Sequence, residues 1–324
     1  MRAVVTGGAG FIGSHLVSRL LEGGYEVSVI DNLSTGRLQN LSEFEKDIRV
    51  EIADLSKEGT WMNLIKSADV VYHMASLADI VPSIEDPKAY YNSNVTSTLN
   101  IAEAAKDNKT VIIYAASSSC YGLPKNIPTT EKDEIKAEYP YAMTKRLGEE
   151  IILHWAKVYN FRAISTRFFN VYGTRSRTSG TYGAVFGIFL AQKLAGKPFT
   201  IVGDGEQTRD FTYVTDIAEG LIKAYESKVT GEIFNLGSGD PKSINYLAKL
   251  LGGEKVYIPK RPGEPDVTHA DISKAEQMLG YSPKVSFEDG VKKVLADISY
   301  WRDAPVWTPD SIEKATRAWF NHLG

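Results

Sequence analysis

The sequence predicts an α/β fold: a doubly wound parallel sheet with a smaller, interleaved C-terminal lobe. Two observations lead to this prediction. Short β-branched runs alternate with amphipathic helical patterns through the first half of the chain, and a glycine-rich turn joins the first strand to the first helix. Strands separated by helices require right-handed crossovers, and such crossovers build a parallel sheet with helices on both faces.

The predicted elements follow in chain order. The predicted strands are Ala3–Thr6, Glu26–Ile30, Arg49–Ile52, Val70–His73, Val111–Ala116 and Arg162–Arg167. The predicted helices are Phe11–Glu22, Asn92–Asp107 and Tyr141–Tyr159. After these elements, a loop over Thr174–Gly183 precedes a further helix, and glycines and prolines then separate short segments up to Gly263. This change in pattern predicts a second lobe.

We expect the first lobe to span residues 1–173, with a returning segment at about 211–239 that contributes a strand at Glu232–Leu236. The second lobe is expected over 174–324, mainly 174–210 and 240–324. Near its end, Thr308-Pro309-Asp310 predicts a helix start, because a hydroxyl N-cap is followed by proline at the first helical position. The tail also carries three tryptophans that we interpret as packing residues: Trp301, Trp307 and Trp319.

Composition narrows the function classes. The 324 residues are 43% hydrophobic and 24% charged, and 37 basic against 40 acidic residues give a net charge of −3. The chain has no block of one charge sign that would indicate a nucleic-acid partner, and it has no long apolar run that would indicate a membrane span. The single Cys120 cannot form an internal disulfide, and no signal peptide is recognisable, so a cytoplasmic location is expected.

A cofactor site is predicted at the first turn. Gly8, Gly10 and Gly13 have the spacing of a dinucleotide-binding fingerprint, which lets the backbone approach a pyrophosphate at a helix N-terminus in a Rossmann-type fold. Asp31 ends the second strand, where a carboxylate would accept hydrogen bonds from a ribose diol and repel a 2′-phosphate, so NAD is favoured over NADP. Asp54, a weaker candidate, would contact the adenine amino group. Either aspartate could instead be a turn residue.

A chemical site is predicted around Tyr141 and Lys145, which lie one helical turn apart. A neighbouring ammonium would stabilise a phenolate, which could exchange a proton with a sugar hydroxyl while a nicotinamide takes the hydride. The loop Ser117–Gly122 follows a strand whose carboxyl end opens onto the same crevice. The alternatives are a surface pair for Tyr141 and Lys145 and a capped turn for the serines. Cys120 is interpreted as packing.

These motifs, taken together and in order, resemble the extended short-chain dehydrogenase/reductases, and most closely the UDP-glucose and UDP-N-acetylglucosamine 4-epimerases. The resemblance covers about Met1 to Pro283. The motifs that carry it are Thr6–Gly13, Asp31–Leu33, His73–Ala75, Ser117–Gly122, Tyr141–Lys145 and Arg167–Gly173. The resemblance implies that Tyr141 is the catalytic base, that Lys145 activates it and that Ser117 binds the reacting oxygen.

The resemblance also implies binding residues. Those expected to contact NAD are Gly7, Gly10, Phe11, Ile12, Gly13, Asp31, Asn32, Asp54, Leu55, Ala75, Asn94, Tyr141 and Lys145. Those expected to contact the nucleotide sugar are Ser117, Ser118, Asn170, Phe199, Arg209, Arg261, Glu264 and Thr268. Within this set, Asn170 and the two arginines resemble diphosphate ligands, since planar guanidinium groups grip phosphate oxygens. Glu264 resembles a ligand of the nucleotide ribose, and Phe199 resembles part of the base pocket.

Departures from the family pattern favour one reaction. Dehydratases carry Asp-Glu, and decarboxylases carry Glu, where this chain has Ser118 and Ser119, and serines are poor proton donors and bases. The expected function is therefore an NAD-dependent 4-epimerase that acts through a 4-keto sugar. Thr268 aligns with a position that is bulky in strict glucose/galactose enzymes, so room for an N-acetyl group is expected.

Other functions remain open at this stage. They are a nucleotide-sugar 4,6-dehydratase, a C4 dehydrogenase, a uronic-acid decarboxylase that uses Arg175 or Arg177, and a non-catalytic NAD sensor. A homodimer is expected from helices Asn92–Asp107 and Tyr141–Tyr159, which resemble those of the family's four-helix interface. One apolar stripe, formed by Ile151, Ile152, Trp155 and Val158, could serve there or could face the sheet.

Overall fold

The computed structural model describes residues 1–176 and 184–323. Its strands are β1 (Arg2–Thr6), β2 (Glu26–Asp31), β3 (Ile48–Ile52), β4 (Val70–His73), β5 (Val111–Ser117), β6 (Ala163–Phe168), β7 (Val171–Tyr172), β8 (Phe199–Val202), β9 (Thr208–Arg209), β10 (Thr212–Tyr213), β11 (Glu232–Leu236), β12 (Lys242–Ser243) and β13 (Lys255–Ile258). Its α-helices are α1 (Phe11–Glu22), α2 (Met62–Ser67), α3 (Ile80–Glu85), α4 (Pro87–Tyr91), α5 (Ser97–Lys106), α6 (Pro140–Tyr159), α7 (Val185–Leu194), α8 (Val214–Glu226), α9 (Ile244–Leu251), α10 (Ser273–Leu279), α11 (Phe287–Ala296) and α12 (Pro309–Leu323).

Seven strands of the described chain form one parallel sheet in the order β11-β6-β5-β4-β1-β2-β3. The chain starts at the centre with β1, runs to one edge through β2 and β3, and then fills the other side from β4. The strand order therefore reverses between β1 and β4, and this switch point opens a crevice at their carboxyl ends. The doubly wound fold predicted from the sequence is confirmed, and the returning strand at Glu232–Leu236 pairs with β6.

Both faces of this sheet are covered by helices, because successive side chains of a strand point to opposite faces. In β1, Ala3 and Val5 pack into the core that holds α1 and α8, whereas Val4 packs into the core that holds α2, α5 and α6. Burial on both faces explains why the sheet strands are nearly continuous apolar runs rather than alternating patterns.

The predicted helix Asn92–Asp107 is interrupted. Residues Asn92–Thr96 form a π-helical turn, and the α-helix α5 begins at Ser97. The buried Asn94 lies within that turn and directs its amide to the Leu77 backbone, where Oδ1 accepts from N–H at 2.8 Å and Nδ2 donates to the carbonyl at 3.0 Å. The π turn changes the direction of the Asn94 side chain relative to a regular α-helix, and π turns are frequent near functional sites.

A separate core forms in the C-terminal half from α7, β8, α9, α11 and the segment that leads into α12. Its centre contains Phe189, Phe199 and the fully buried Trp301. The predicted helix start at Thr308 is observed, since the Thr308 hydroxyl accepts a hydrogen bond from the Ser311 N–H at 3.3 Å and α12 begins at Pro309. Within the described residues, every helix is too short or too polar to cross a membrane.

Candidate active site

A cavity of about 1030 Å³ begins at the switch point of the sheet and continues into the C-terminal half. Two loops meet at its base, one after β1 and one after β4. Thr6 links them: its hydroxyl hydrogen-bonds His73 Nδ1 at 2.7 Å and accepts from the Ala75 N–H at 3.1 Å. Burial lowers the pKa of His73 to about 3, so this imidazole stays neutral and acts as a hydrogen-bonding strut.

Two glycines of the turn at this base, Gly7 and Gly13, leave no room for a side chain. Gly7 has a φ of +68°, and a Cβ there would lie 2.8 Å from the Ala75 backbone. A Cβ on Gly13 would lie 2.2 Å from the Gly7 carbonyl oxygen. Gly10, Phe11, Ile12 and Gly13 line the cavity at the N-terminus of α1, where backbone amides are free of intrahelical partners. The turn therefore fits a pyrophosphate held by main-chain N–H groups.

Asp31 lies beside this turn and is 7% exposed. Its Oδ2 accepts from the Ala9 N–H at 3.0 Å and its Oδ1 accepts from the Leu33 N–H at 2.8 Å. Burial raises the pKa of Asp31, although the two amides oppose that effect. Each carboxylate oxygen can accept a further bond from the cavity side, which is the geometry a ribose diol needs. Asn32 and Ala75, also predicted for the cofactor, line the same cavity.

Asp54 and Leu55 also line the cavity. The Asp54 carboxylate, however, forms a local turn in which Oδ1 accepts from the Ser56 hydroxyl at 2.7 Å and from the Ser56 N–H at 3.0 Å. These bonds, the hydroxyl first, hold the pKa of Asp54 below its ordinary value. Asp54 is therefore a turn residue, which was the alternative to a cofactor ligand, and this turn uses one of its two carboxylate oxygens.

Tyr141 and Lys145 line the cavity from α6. Burial raises the pKa of Tyr141, the neighbouring Ser117 hydroxyl lowers it, and the charge of Asp79 raises it. The helix that carries Tyr141 and the loop after β5 therefore come close together at this point. Asp79 lines the same wall in a strained conformation with φ +87°. The phenol and the loop hydroxyl predicted from the sequence are therefore adjacent.

One electrostatic expectation is wrong in this structure. The sequence predicted that Lys145 would lower the pKa of Tyr141, whereas burial dominates and the net shift is upward. Lys145 is 4% exposed, and its Nζ lies 4.9 Å from the centre of the Tyr114 ring. Burial lowers the pKa of Lys145 to about 7, and Glu149 opposes this shift. Both groups are desolvated in the same wall, so burial has a larger effect on each than the other's charge.

Cys120 lies in the motif loop but is buried in a small apolar cluster. Burial raises the pKa of its thiol to about 12, so a thiolate does not form at neutral pH. This agrees with the interpretation of Cys120 as a packing residue.

The two predicted arginines converge at the far end of the cavity. The Arg209 guanidinium donates to Glu264 Oε1 at 2.8 Å, and Arg261 Nε lies 3.1 Å from Glu264 Oε2. All three residues line the cavity. Two guanidinium groups around one carboxylate leave a net positive charge, which suits a diphosphate. Glu264 was predicted to contact a ribose; in the structure its carboxylate pairs with both arginines.

Five predicted binding residues do not line the cavity: Asn94, Ser117, Ser118, Phe199 and Thr268. Asn94 uses both amide hydrogens and its oxygen on Leu77 and Thr144. Phe199 is fully buried against Phe189, with ring centroids 4.8 Å apart, because alternate residues of a strand face opposite sides. Direct contacts from Asn94 and Phe199 are therefore corrected to supporting roles.

Thr268 is the third. Its hydroxyl donates to Asn170 Oδ1 at 2.7 Å, and Asn170 does line the cavity. Thr268 thus orients a cavity residue instead of facing the cavity. Ser117 and Ser118 are the other two; Ser117 is close enough to Tyr141, which lines the cavity, to lower its pKa.

Several residues of the C-terminal tail line the cavity without having been predicted to do so. Tyr300, Trp307 and Trp319 line the cavity, so the interpretation of Trp307 and Trp319 as packing residues alone is incomplete, while Trp301 is buried in the core as expected. Arg175 also lines the cavity, whereas Arg177 and most of the loop Thr174–Gly183 lie outside the described residues. An aromatic tail gives no sequence signal that distinguishes a cavity wall from a core.

This chain is similar in sequence and in fold to known enzymes. The sequence profile of the NAD dependent epimerase/dehydratase family matches residues 3–237. A putative UDP-glucose 4-epimerase from Methanocaldococcus jannaschii is 35% identical over 300 residues, which cover 90% of this chain and 96% of that protein. A UDP-N-acetyl-alpha-D-glucosaminuronate decarboxylase from Bacillus cytotoxicus is 34% identical over 320 residues, which cover 91% of this chain and 96% of that protein.

Among solved structures, the UDP-glucuronic acid 4-epimerase from Bacillus cereus, in complex with UDP-glucuronic acid and NAD, superposes with a TM-score of 0.85 at 34% identity. The match covers 94% of this chain and 99% of that chain. The relatives thus include both epimerases and a decarboxylase.

Proposed function

Because the chain belongs to the NAD dependent epimerase/dehydratase family, whose cofactor is NAD, we propose that it is a nucleotide-sugar 4-epimerase acting on a UDP-hexose or a UDP-N-acetylhexosamine. The observation that carries the proposal is the placement of Tyr141 and Lys145 on the wall of the cavity that also contains the glycine turn, with the Ser117 hydroxyl close enough to lower the pKa of Tyr141. The serines at 118 and 119 favour epimerisation over reactions that need a further acid and base.

In the proposed reaction, ionised Tyr141 takes the proton of the sugar C4 hydroxyl, and the Ser117 hydroxyl donates a hydrogen bond to the same oxygen. When Lys145 carries its proton, its ammonium stabilises the phenolate and offsets part of the burial that raises the Tyr141 pKa. NAD, held by the glycine turn and Asp31, would supply the hydride acceptor and donor for the sugar C4 position. The 4-keto sugar turns its other face to Tyr141, which gives the proton back.

Turning the keto sugar requires that the rest of the substrate stay fixed. We assign this task to Arg209 and Arg261, which hold the diphosphate, and to Asn170, which Thr268 orients. We also assign one ligand to each lobe. Residues 1–173 bind NAD, and the C-terminal lobe binds the nucleotide part of the substrate. A homodimer and a cytoplasmic location belong to the proposal as well.

A decarboxylase is the second candidate, because one relative has that activity in its name and Arg175 lines the cavity where a sugar carboxylate could pair with it. A dehydratase or C4 dehydrogenase would use the same phenol. A non-catalytic NAD sensor is disfavoured because it would have no need for the adjoining Tyr141 and Ser117 hydroxyls.

The test is to incubate the purified protein with UDP-glucose, UDP-N-acetylglucosamine and UDP-glucuronic acid and to analyse products by mass spectrometry and NMR. We expect an unchanged mass with inversion at C4. Loss of carbon dioxide would establish decarboxylation, loss of water would establish dehydration, and no turnover of any substrate would favour the sensor.

The variant Tyr141→Phe should lower kcat by roughly 10²- to 10⁴-fold while UDP still binds, because it removes the proton acceptor and keeps the ring. Tyr159→Phe, which removes an exposed phenol from the same helix, is the control and should turn over normally. Full activity of Tyr141→Phe would reject Tyr141 as the base.

A further inference from the structure

The C-terminal helix α12 joins the two sides of the cavity. One of its neighbours is α3, whose residues Ile80 and Val81 line the cavity beside the sheet. Its other neighbour is the loop that carries Arg261, through Trp319. The helix lies outside residues 3–237, which match the family profile, and the reaction proposed above assigns it no task.

One face of α12 is fixed against the protein. Ile312, Thr316 and Trp319, spaced i, i+4 and i+7, are 3%, 2% and 4% exposed. Ile312 packs into the C-terminal core, which anchors the start of the helix. The anchoring leaves Trp319 near the other end as the side chain that reaches the cavity wall.

Trp319 contacts the Arg261 loop in two ways. Its indole Nε1 donates to the Pro262 carbonyl at 2.7 Å, which ties down the backbone next to the arginine. Its ring lies under the Arg261 guanidinium, with Cζ 5.3 Å from the ring centre, a cation–π distance. The guanidinium is therefore held between the Trp319 ring and the Glu264 carboxylate, 3.1 Å from Arg261 Nε.

Trp319 also approaches the chemical site through aromatic rings. Its ring centre lies 6.4 Å from that of Tyr139, and the Tyr139 ring is stacked 6.5 Å from that of Tyr141 with an interplanar angle of 9°. A flexible arginine side chain loses considerable entropy when it binds phosphate, and a guanidinium that is already fixed loses less. Trp319 lies against the Arg261 guanidinium, where it can restrict the motion of that side chain.

We propose that Trp319 is a positioning residue: it holds Arg261 in the orientation that binds the diphosphate of the nucleotide sugar, and α12 is thereby part of the substrate site. This inference rests on the proposed function, since it takes a nucleoside diphosphate as the ligand. It adds that affinity for the diphosphate depends on a helix outside the family match.

The experiment measures binding of UDP and of uridine, which lacks phosphate, to the full-length NAD-loaded protein by calorimetry or competition. Trp319→Leu should weaken UDP binding about tenfold and leave uridine binding unchanged, because only the diphosphate contacts Arg261. The KM for the nucleotide sugar should rise with a smaller change in kcat. Trp319→Phe, which keeps a ring under the guanidinium, should recover most of the UDP affinity.

A double-mutant cycle tests the connection to Arg261. Trp319→Leu should cost no further UDP affinity in an Arg261→Ala background, since the two residues act as a unit. Phe320→Ala, a neighbour on the exposed face of α12, is the control and should bind UDP normally. Thermal unfolding of the ligand-free variants identifies any variant that fails to fold, and Trp319→Phe then carries the comparison.

Equal losses for UDP and uridine, additive losses in the double variant, or no rescue by Trp319→Phe would overturn the inference. Normal UDP binding by Trp319→Leu would overturn it while leaving the proposed function intact. A wild-type protein that binds no UDP would contradict the UDP substrate of the proposed function, and this inference with it.

Discussion

Single residues in the cavity wall show how strongly burial controls ionisation. Lys145 and Tyr141 are held in the same wall, and burial shifts both pKa values toward the neutral forms: that of Lys145 falls to about 7 and that of Tyr141 rises. The ammonium that the proposed mechanism needs is therefore present in only part of the molecules at neutral pH. Its ionisation should be visible in the stability of the protein.

Stability should increase with pH because of Lys145. Below pH 7 the folded state carries a charged, buried ammonium and bears the full desolvation penalty. Between about pH 7 and the ordinary lysine value of 10.5 the unfolded state binds the extra proton, so this group makes the free energy of unfolding rise with pH.

The measurement compares wild type with Lys145→Met, both free of NAD, by denaturant unfolding from pH 6.5 to 10. The methionine variant, which has a neutral side chain of similar length, should be the more stable at pH 6.5, and its advantage should shrink as the pH rises. A difference that is independent of pH would show that Lys145 keeps an ordinary pKa.

Asp31 should decide which dinucleotide binds. Its carboxylate is fixed by two backbone N–H groups and faces the cavity, so Asp31→Asn keeps the shape and removes the charge. Affinity for NAD should fall roughly tenfold or more, because a hydrogen bond to a charged group is lost, and the preference for NAD over NADP should narrow.

Dissociation constants for both dinucleotides, measured by fluorescence titration, test this expectation. Asp47→Asn, an exposed aspartate outside the cavity lining, is the control. An unchanged ratio of NADP to NAD affinity in Asp31→Asn would show that another group excludes the 2′-phosphate.

At the scale of elements, a buried network holds helix α6 against the motif loop. Glu149 of α6 accepts from Arg167 of β6 through both oxygens, at 2.6 and 3.0 Å, and also from Ser165 at 2.7 Å. Arg167 continues to the Tyr121 hydroxyl at 2.7 Å. Burial alone would raise the pKa of Glu149, but Arg167 holds it below its ordinary value. The network fixes the helix that carries Tyr141 relative to the loop that carries Ser117.

Removal of one charge from this network should be costly. Both side chains of the Arg167–Glu149 pair are 1% exposed, so Glu149→Gln leaves a buried guanidinium without its counter-charge and should lower the free energy of unfolding by about 3 to 5 kcal/mol. The control is Glu150→Gln, a change at the next residue. The Glu150 carboxyl is 53% exposed and pairs with Arg146, so this variant should lower the free energy of unfolding by at most about 1 kcal/mol. Equal midpoints of the two variants in urea would contradict the structural role of the network.

At the scale of the whole molecule, the predicted dimer stripe divides between two faces of α6. Ile152 is fully buried in the sheet core, Ile151 and Trp155 pack at its margin, and Val158 is 57% exposed. Part of the stripe therefore packs against the sheet, which was the alternative to a dimer interface. Val158 and Met143, which is 47% exposed, remain on the outer face.

If this outer face forms the proposed homodimer, light scattering should give twice the chain mass of 35.8 kDa. Val158→Glu should shift the protein toward a single chain, because it places a charge in a buried apolar contact. Leu194→Glu, a similar change at a 42%-exposed position at the end of α7, should leave the mass unchanged. A wild-type protein with the mass of one chain would reject the dimer.

The amino-acid sequence by itself determined the sheet, its helices, the glycine turn, Asp31 and the Tyr141/Lys145 spacing, and the match to the family and the superposition on solved structures confirm the fold and the cofactor class. These features are local: periodicity, turn chemistry and residue spacing are written in consecutive residues.

Only the tertiary structure decided which side of β8 faces the cavity, that Asn94 and Thr268 support the wall, that Glu264 lies between two arginines, and that Trp319 lines the cavity against Arg261. Each of these facts depends on segments far apart in sequence being brought together. The direction of a side chain and the burial that shifts its pKa are properties of such contacts, and residue spacing alone does not contain them.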